Sequence, residues 1–195
     1  MSSQKKVVRK TILQYRKLLD REIFDQRNES VLTNISQLVV EKKVNCVHSF
    51  LPIEKNREVN TWPIIGAMRK LNVRAVLSAT DFQRQTMSHF WDDDSLEFEN
   101  DQFGIPTPIN GKQANLAQVD MVLIPLLAAD RTGNRIGYGK GYYDRLLSGM
   151  NPKVWKVGLT LGPVFDHFSF AEPHDINLNF CVTPHQIIDC DSTSV

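Results

Sequence analysis

The sequence predicts a three-layer α/β/α fold with a mainly parallel central sheet, and three observations carry that prediction. Short apolar runs alternate with segments of helical periodicity, which is the pattern of a parallel sheet covered on both faces. The run V-D-M-V-L-I-P at residues 119–125 is apolar enough for a strand buried on both sides. At 195 residues, with no internal repeat, low-complexity tract or linker, the chain suits one domain (1–195) with a sizeable core.

The elements follow in order. Residues 2–20 predict a helix, because Val8, Ile12, Tyr15 and Leu19 recur at helical spacing with Lys5, Lys6, Arg9, Lys10, Arg16 and Lys17 between them. A second helix is expected from about 28 to 42, with Val31, Ile35, Leu38 and Val39 inward. Residues 44–51 form a first strand that Pro52 ends, and 53–59 a polar connection. Asn60 or Thr61 can cap a third helix with Pro63 in its first turn, carrying Ile64, Ile65, Met68 and Leu71. Residues 73–77 are a second strand. From 81 to 111 the pattern is weaker: short strands at 87–91 and 96–98, an exposed acidic turn at Asp92–Asp94, and an extended loop around Pro106 and Pro108. After the 119–125 strand and a glycine-rich loop comes a helix at 142–147, stopped by Gly149 and Pro152. Strands at 154–160 and 179–183 complete the sheet.

Bulk properties narrow the function. Lys and Arg total 23 against 22 Asp and Glu, a net charge of +1, which lacks the basic excess of nucleic-acid binders and of polybasic membrane anchors. Cys46, Cys181 and Cys190 are widely spaced and make no C-x-x-C pair, so neither a zinc knuckle nor a redox motif is indicated. Free thiols suit a reducing compartment. With no apolar run of membrane-spanning length and no signal-peptide core, a cytoplasmic protein is expected.

The chemistry concentrates in R-I-G-Y-G-K-G-Y-Y-D-R, residues 135–145. Gly133, Gly137, Gly139 and Gly141 allow the backbone unusual dihedrals and close approach to a ligand. Backbone N–H groups there can meet phosphate oxygens, and Arg135 and Lys140 add positive charge for a transferring phosphoryl group. Asp144 stands where a carboxylate can hold Mg²⁺ on the phosphates. Two standard nucleotide fingerprints are excluded. Gly141 follows the lysine where Walker A needs Ser or Thr, and the G-x-G-x-G spacing lies well after its strand. Glycine content alone is equally consistent with a turn before a surface helix.

The complete string is more specific. From Asp130 to Asp144 it resembles D-x-x-G-x-R-x-G-x-G-x-G-Y-Y-D, the hallmark of the 5-formyltetrahydrofolate cyclo-ligases, also called methenyltetrahydrofolate synthetases. The basic first helix, F-L-x-x-x-x-x-x-E-V-N-T at 50–61, F-G-I-P-x-P at 103–108, V-D-x-V-L-I-P at 119–125 and P-H-D at 173–175 fall in family order. The resemblance implies an architecture similar to the sugar-phosphate isomerases and CoA-transferases. It implies conversion of 5-formyltetrahydrofolate, with ATP, to 5,10-methenyltetrahydrofolate, ADP and phosphate. By the same resemblance, Lys140, Arg135 and Tyr142 are the catalytic candidates. Lys5, Arg9, Arg135, Ile136, Gly137, Tyr138, Gly139, Lys140, Gly141, Tyr142 and Tyr143 would meet ATP. Leu51, Glu58 and residues 138–142 would meet the folate, and Asp144 with Asp175 would hold Mg²⁺. The i, i+4 spacing puts Lys5 and Arg9 on one helix face, although a solvated basic face is the commoner fate of such a pair. Glu54 is the alternative to Glu58. Tyr138 departs from an arginine carried by some members, and Thr107 from a glutamate. The partners implied are ATP and the folate, which can carry a polyglutamate tail, with a monomer as the expected state.

Other features carry less. His167, His174 and His185 lack compact metal-ligand spacing, and His174 lies beside Asp175. Phe165, Phe168 and Phe170 suit the core or the pocket edge. There is no G-x-S-x-G elbow, so serine-hydrolase chemistry has no support. Two competing functions are a non-catalytic folate-binding protein and a sugar-phosphate isomerase-like enzyme. Lys140, Asp144 and Asp175 argue against the first, and Lys5 and Arg9 against the second.

Overall fold

The computed structural model describes residues 3–81, 83–101, 104–169 and 175–191. The expectations for Phe170 and His174 therefore lie outside the described residues, as do Phe103, Pro173 and the first position of the expected first helix.

Helix α1 is Ser3–Leu18 and α2 is Arg21–Glu41. The second helix starts several residues earlier than the apolar spacing suggests, because Asp20 caps it. Its carboxylate accepts a 2.8 Å hydrogen bond from the Glu22 N–H. Strand β1 is Cys46–Ser49, helix α3 Trp62–Lys70, and strand β2 Arg74–Asp81. Thr61 stands at the N-cap of α3, but its hydroxyl donates to the Phe50 carbonyl, and it is Asn60, one residue earlier, that accepts from the Trp62 N–H. Next come β3 (Thr86–Trp91), β4 (Glu97–Asn100), β5 (Pro106–Asn110) and β6 (Met121–Pro125). Strands β7 (Ala128–Ala129) and β8 (Arg135–Ile136) flank a tight turn, followed by helix α4 (Tyr142–Ser148). Strands β9 (Trp155–Leu159), β10 (Phe180–Val182) and β11 (Ile187–Asp189) end the order.

Seven strands form one sheet in the order β11-β10-β9-β6-β1-β2-β3. The four inner pairings are parallel, and only the edge strands β3 and β11 run antiparallel. Successive side chains of β6 point to opposite faces. Met121 and Leu123 join Val31, Ile35 and Leu38 of α2 and Ile64 and Met68 of α3, while Val122 and Ile124 join Leu146 and Leu147 of α4. The sheet is thus sandwiched between α2 with α3 and α4, as predicted. Each fully buried aliphatic side chain contributes about 1.5–3 kcal/mol.

Several short elements differ from expectation. The proline segment at 106–110 is a strand, paired with β4 in a separate hairpin. The β7–β8 ribbon and β11 were not anticipated. Asp92 is not an exposed turn residue: its side chain is 2% accessible and receives the Arg69 guanidinium, Nε–Oδ2 2.7 Å. Phe165 and Phe168 stack at 5.3 Å against Ile12 and Leu127, so both belong to the core.

Candidate active site

The parallel strands place the site. Phe50 and Leu51 after β1, Ser78 and Thr80 in β2, and Pro125 of β6 open on one pocket at the carboxyl end of the sheet. The chain order reverses there, between β1 and β6, which is where open α/β sheets leave a crevice.

Helix α1 contributes the cationic wall. Lys5 and Arg16 are buried, and together with Arg9 and Ile12 they form one helical stripe facing the protein. The Arg9 Nε donates to the Gly137 carbonyl at 2.8 Å. Its guanidinium lies over Gly139, where an added Cβ would sit 3.1 Å from Arg9 Cζ. Gly139 also has φ +86°, so the closeness and the left-handed backbone both call for glycine.

The loop is shaped from beneath by Asp130, which is fully buried. Its carboxylate accepts from the Thr132 and Asn134 N–H groups, the Thr132 hydroxyl, the Asn134 amide and the Phe168 N–H. This turn joins β7 to β8 and delivers Arg135 to the pocket. The Arg135 side chain is 7% accessible, pairs with Asp144 and donates to the Ile176 carbonyl. Burial pushes its pKa below the usual guanidinium value, and Asp144 and Asp175 oppose that shift. A second pair, Lys5 Nζ to Asp175 Oδ2 at 3.2 Å, lies in the same pocket. Two cations and two carboxylates are therefore interleaved at this end of the pocket, while Lys140 is exposed at the mouth.

The opposite end is less charged. Glu58 is buried and accepts from the Ile53 N–H at 2.7 Å. Burial raises its pKa, while hydrogen bonds from Tyr138 and Ile53 and the Arg16 charge draw it down. Tyr143 has its phenol pushed up by burial and then by Glu58, with Ser78 opposing the shift. Leu51, Met87, Ile105 and Pro106 supply apolar surface. This end suits a flat heteroaromatic ring with N–H donors.

Every residue expected in the site lines this pocket except Ile136. The Ile136 side chain packs against Ile12, Leu127 and Phe168, so only its backbone is available to a ligand. Glu54 lies in an exposed turn outside the lining, which separates it from Glu58. Ser78, Thr80 and Met87 also line the pocket and were missed: Ser78 and Thr80 lie beyond the expected end of the second strand at 77, and Met87 belongs to the segment whose strands were hardest to read. Thr107, noted in the sequence only as a departure, lines the pocket as well. Arg16 was missed because its position reads as solvent-facing between apolar residues. Behind the wall, His48 and His89 meet at 3.2 Å, Nε2 to Nδ1, with His48 edge-on to Tyr143. Among the described residues no group of three or more His, Cys, Asp or Glu side chains could hold a metal alone.

Comparison with known proteins agrees with this geometry. The mitochondrial 5-formyltetrahydrofolate cyclo-ligase of Arabidopsis thaliana is 24% identical over 211 residues, 95% of this chain and 76% of that protein. The 5-formyltetrahydrofolate cyclo-ligase of Mycoplasma genitalium is 37% identical over 73 residues, 37% of this chain, and that match spans 44% of the relative's length. The solved structure of the 5,10-methenyltetrahydrofolate synthetase of Aquifex aeolicus is similar with a TM-score of 0.77 at 30% identity, over 95% of this chain and 92% of that one. The Mycoplasma pneumoniae 5,10-methenyltetrahydrofolate synthetase shares the fold, with a TM-score of 0.72 at 21% identity over 92% of this chain and 98% of that one. The model of the 5-formyltetrahydrofolate cyclo-ligase family matches residues 1–184, and the chain belongs to that family.

Proposed function

We propose that the protein converts 5-formyltetrahydrofolate to 5,10-methenyltetrahydrofolate at the expense of ATP, in this pocket. The observation that carries the reading is the pairing of a cationic, glycine-walled end with an apolar end that holds one buried carboxylate. The chemical obstacle is that a formamide oxygen is a poor leaving group. Its attack on the γ-phosphorus releases ADP and gives an iminophosphate. The second folate nitrogen then attacks the activated carbon, the ring closes, and phosphate leaves with the former formyl oxygen. Atoms balance as ATP plus 5-formyltetrahydrofolate to 5,10-methenyltetrahydrofolate, ADP and phosphate.

In this reading Lys5, Arg9 and the loop from Arg135 to Tyr143 hold the nucleotide. Lys140 and Arg135 offset the charge of the transferring group, and Tyr142 packs at the reacting end. Glu58 and Leu51 orient the folate together with residues 138–142. Asp144 and Asp175 are oxygen donors of the kind Mg²⁺ takes, and two carboxylates leave room for phosphate oxygens and water. When bound, that ion neutralises phosphate charge. Both carboxylates now pair with cations, so nucleotide and ion together would release Lys5 and Arg135 for phosphate. The protein is taken to act as a monomer in the cytoplasm, where its buried thiols stay reduced.

The test is direct. Protein, 5-formyltetrahydrofolate, ATP and Mg²⁺ are mixed, and the near-ultraviolet absorbance of the methenyl product is followed against ADP release. Equal amounts of the two products are expected, and a folded preparation that forms neither would sink the reading. Thermal shift tests the ion separately: ATP with Mg²⁺ should raise Tm more than the sum of either alone.

A further inference from the structure

We propose that Arg16 is a positioning residue for the folate end of the site, acting on Glu58 through the Tyr138 phenol. Arg16 projects inward from the middle of α1 and is only 1% accessible. Taking a guanidinium out of water costs several kcal/mol unless an anion and hydrogen bonds offset it. Two neutral acceptors are in reach: the Leu126 carbonyl at 3.2 Å from Nη1 and the Tyr138 hydroxyl at 2.8 Å from Nη2. Arg16 Nε has no partner, and among the described residues Arg16 forms no direct ion pair.

The anion is one step further away. Tyr138 and Glu58 line the same pocket, and the phenol and the Arg16 charge both favour the ionised carboxylate. With Arg16 donating to the phenol oxygen, that oxygen's own proton is directed at the carboxylate. The relay therefore has a fixed direction, from guanidinium to phenol to carboxylate. Glu58 also accepts from the Ile53 N–H, and it lines the pocket. The charged and titratable groups that bear on it are Arg16 from α1, Tyr138 from the loop and Tyr143 from α4. Arg16 thus keeps Glu58 ionised and fixed in place while touching no ligand itself. The neighbouring cations Lys5 and Arg9 have other contacts, to Asp175 and the Gly137 carbonyl.

The inference rests on Glu58 as the folate contact, and the experiment separates the two. Dissociation constants for 5-formyltetrahydrofolate and for ATP are measured between pH 6 and 9 on R16M, R16K, Y138F, R16M/Y138F and E58Q. R16M should weaken folate binding about tenfold at pH 7, the equivalent of about 1.4 kcal/mol. That deficit should shrink as pH rises and Glu58 ionises, while ATP binding stays within about twofold. R16K should recover part of the loss. Y138F should weaken folate binding at least as much as R16M, since Tyr138 also lines the pocket, and in the Y138F background R16M should add no more than about twofold. An equal, pH-independent loss of both ligands in R16M would reduce Arg16 to a structural pin and overturn the proposal. Unchanged folate binding in R16M with weakened binding in E58Q would overturn the relay alone. Unchanged binding in E58Q would remove Glu58 from the site, and the relay with it. Should R16M not fold, R16K decides by the same pH-dependent, folate-selective criterion.

Discussion

Lys140 and Arg135 carry the same charge on the same loop in different surroundings. Arg135 is almost enclosed and tied to Asp144, whereas Lys140 stands exposed at the mouth. A group that engages only when phosphate is transferred should matter to turnover more than to ground-state binding. Lys140→Ala is expected to lower kcat by about 10²–10³ while the folate dissociation constant moves less than about threefold. Single-turnover kinetics beside equilibrium binding checks this, and equal losses would make Lys140 a ground-state binder. Gly139→Ala asks a different question. The new Cβ would meet the Arg9 guanidinium at a φ of +86°, so the guanidinium must shift against the loop. The left-handed backbone costs about 1–2 kcal/mol, and nucleotide affinity should fall about tenfold, more than folate affinity does, which titration of each ligand reads separately. At this scale the sequence was most legible where a residue type is forced by backbone geometry, as at Gly139. It was least legible at Arg16, because nothing in a one-dimensional pattern distinguishes an inward arginine from the five other cations interleaved along α1.

Elements were readable in proportion to their length and burial. The strand at 121–125 and the inner face of α2 were evident because burial on the sheet demands continuous or periodic apolar residues. The two-residue strands β7 and β8 left no such signal, since their pairing is imposed by a side chain outside the ladder. That side chain is Asp130, whose carboxylate gathers five donors around the turn. Asp130→Ala leaves those donors without their acceptor and is expected to destabilise the fold by about 2–4 kcal/mol. Turnover should also be lost, because Arg135 is delivered by the same turn. Urea unfolding gives the stability change. A variant as stable as the parent would show that the ribbon holds itself. Asp130→Asn should recover part of the loss, since the carboxamide oxygen still accepts from the Thr132 and Asn134 N–H groups.

On the scale of the whole molecule, the buried histidines join the elements that build the site. His48 belongs to β1, His89 to the edge strand β3, and His48 touches Tyr143 of α4. Neither residue appears in any motif, and their meeting depends on the register that sets β2 between them, so only the assembled sheet reveals it. Burial, and then the charge His89 would carry, lowers the His48 pKa from 6.5 to about 3. Burial also lowers that of His89. For a base whose folded pKa is depressed, the sign is fixed. Above pH 6.5 both folded and unfolded chains hold the neutral ring and stability is complete. As pH falls below that value the unfolded chain gains protons that the folded chain cannot accept, so stability declines until the folded pKa is reached. Between pH 6.5 and 4.5 the loss attributable to this ring is on the order of 2–3 kcal/mol. Denaturant unfolding of the parent and of His48→Leu at several pH values isolates it, because the other titrating groups are common to both. The variant should be flatter by that amount over the interval, and its Tyr143 wall should keep the pocket formed at lower pH. Parallel pH profiles in the two proteins would instead place the acid sensitivity outside this histidine pair.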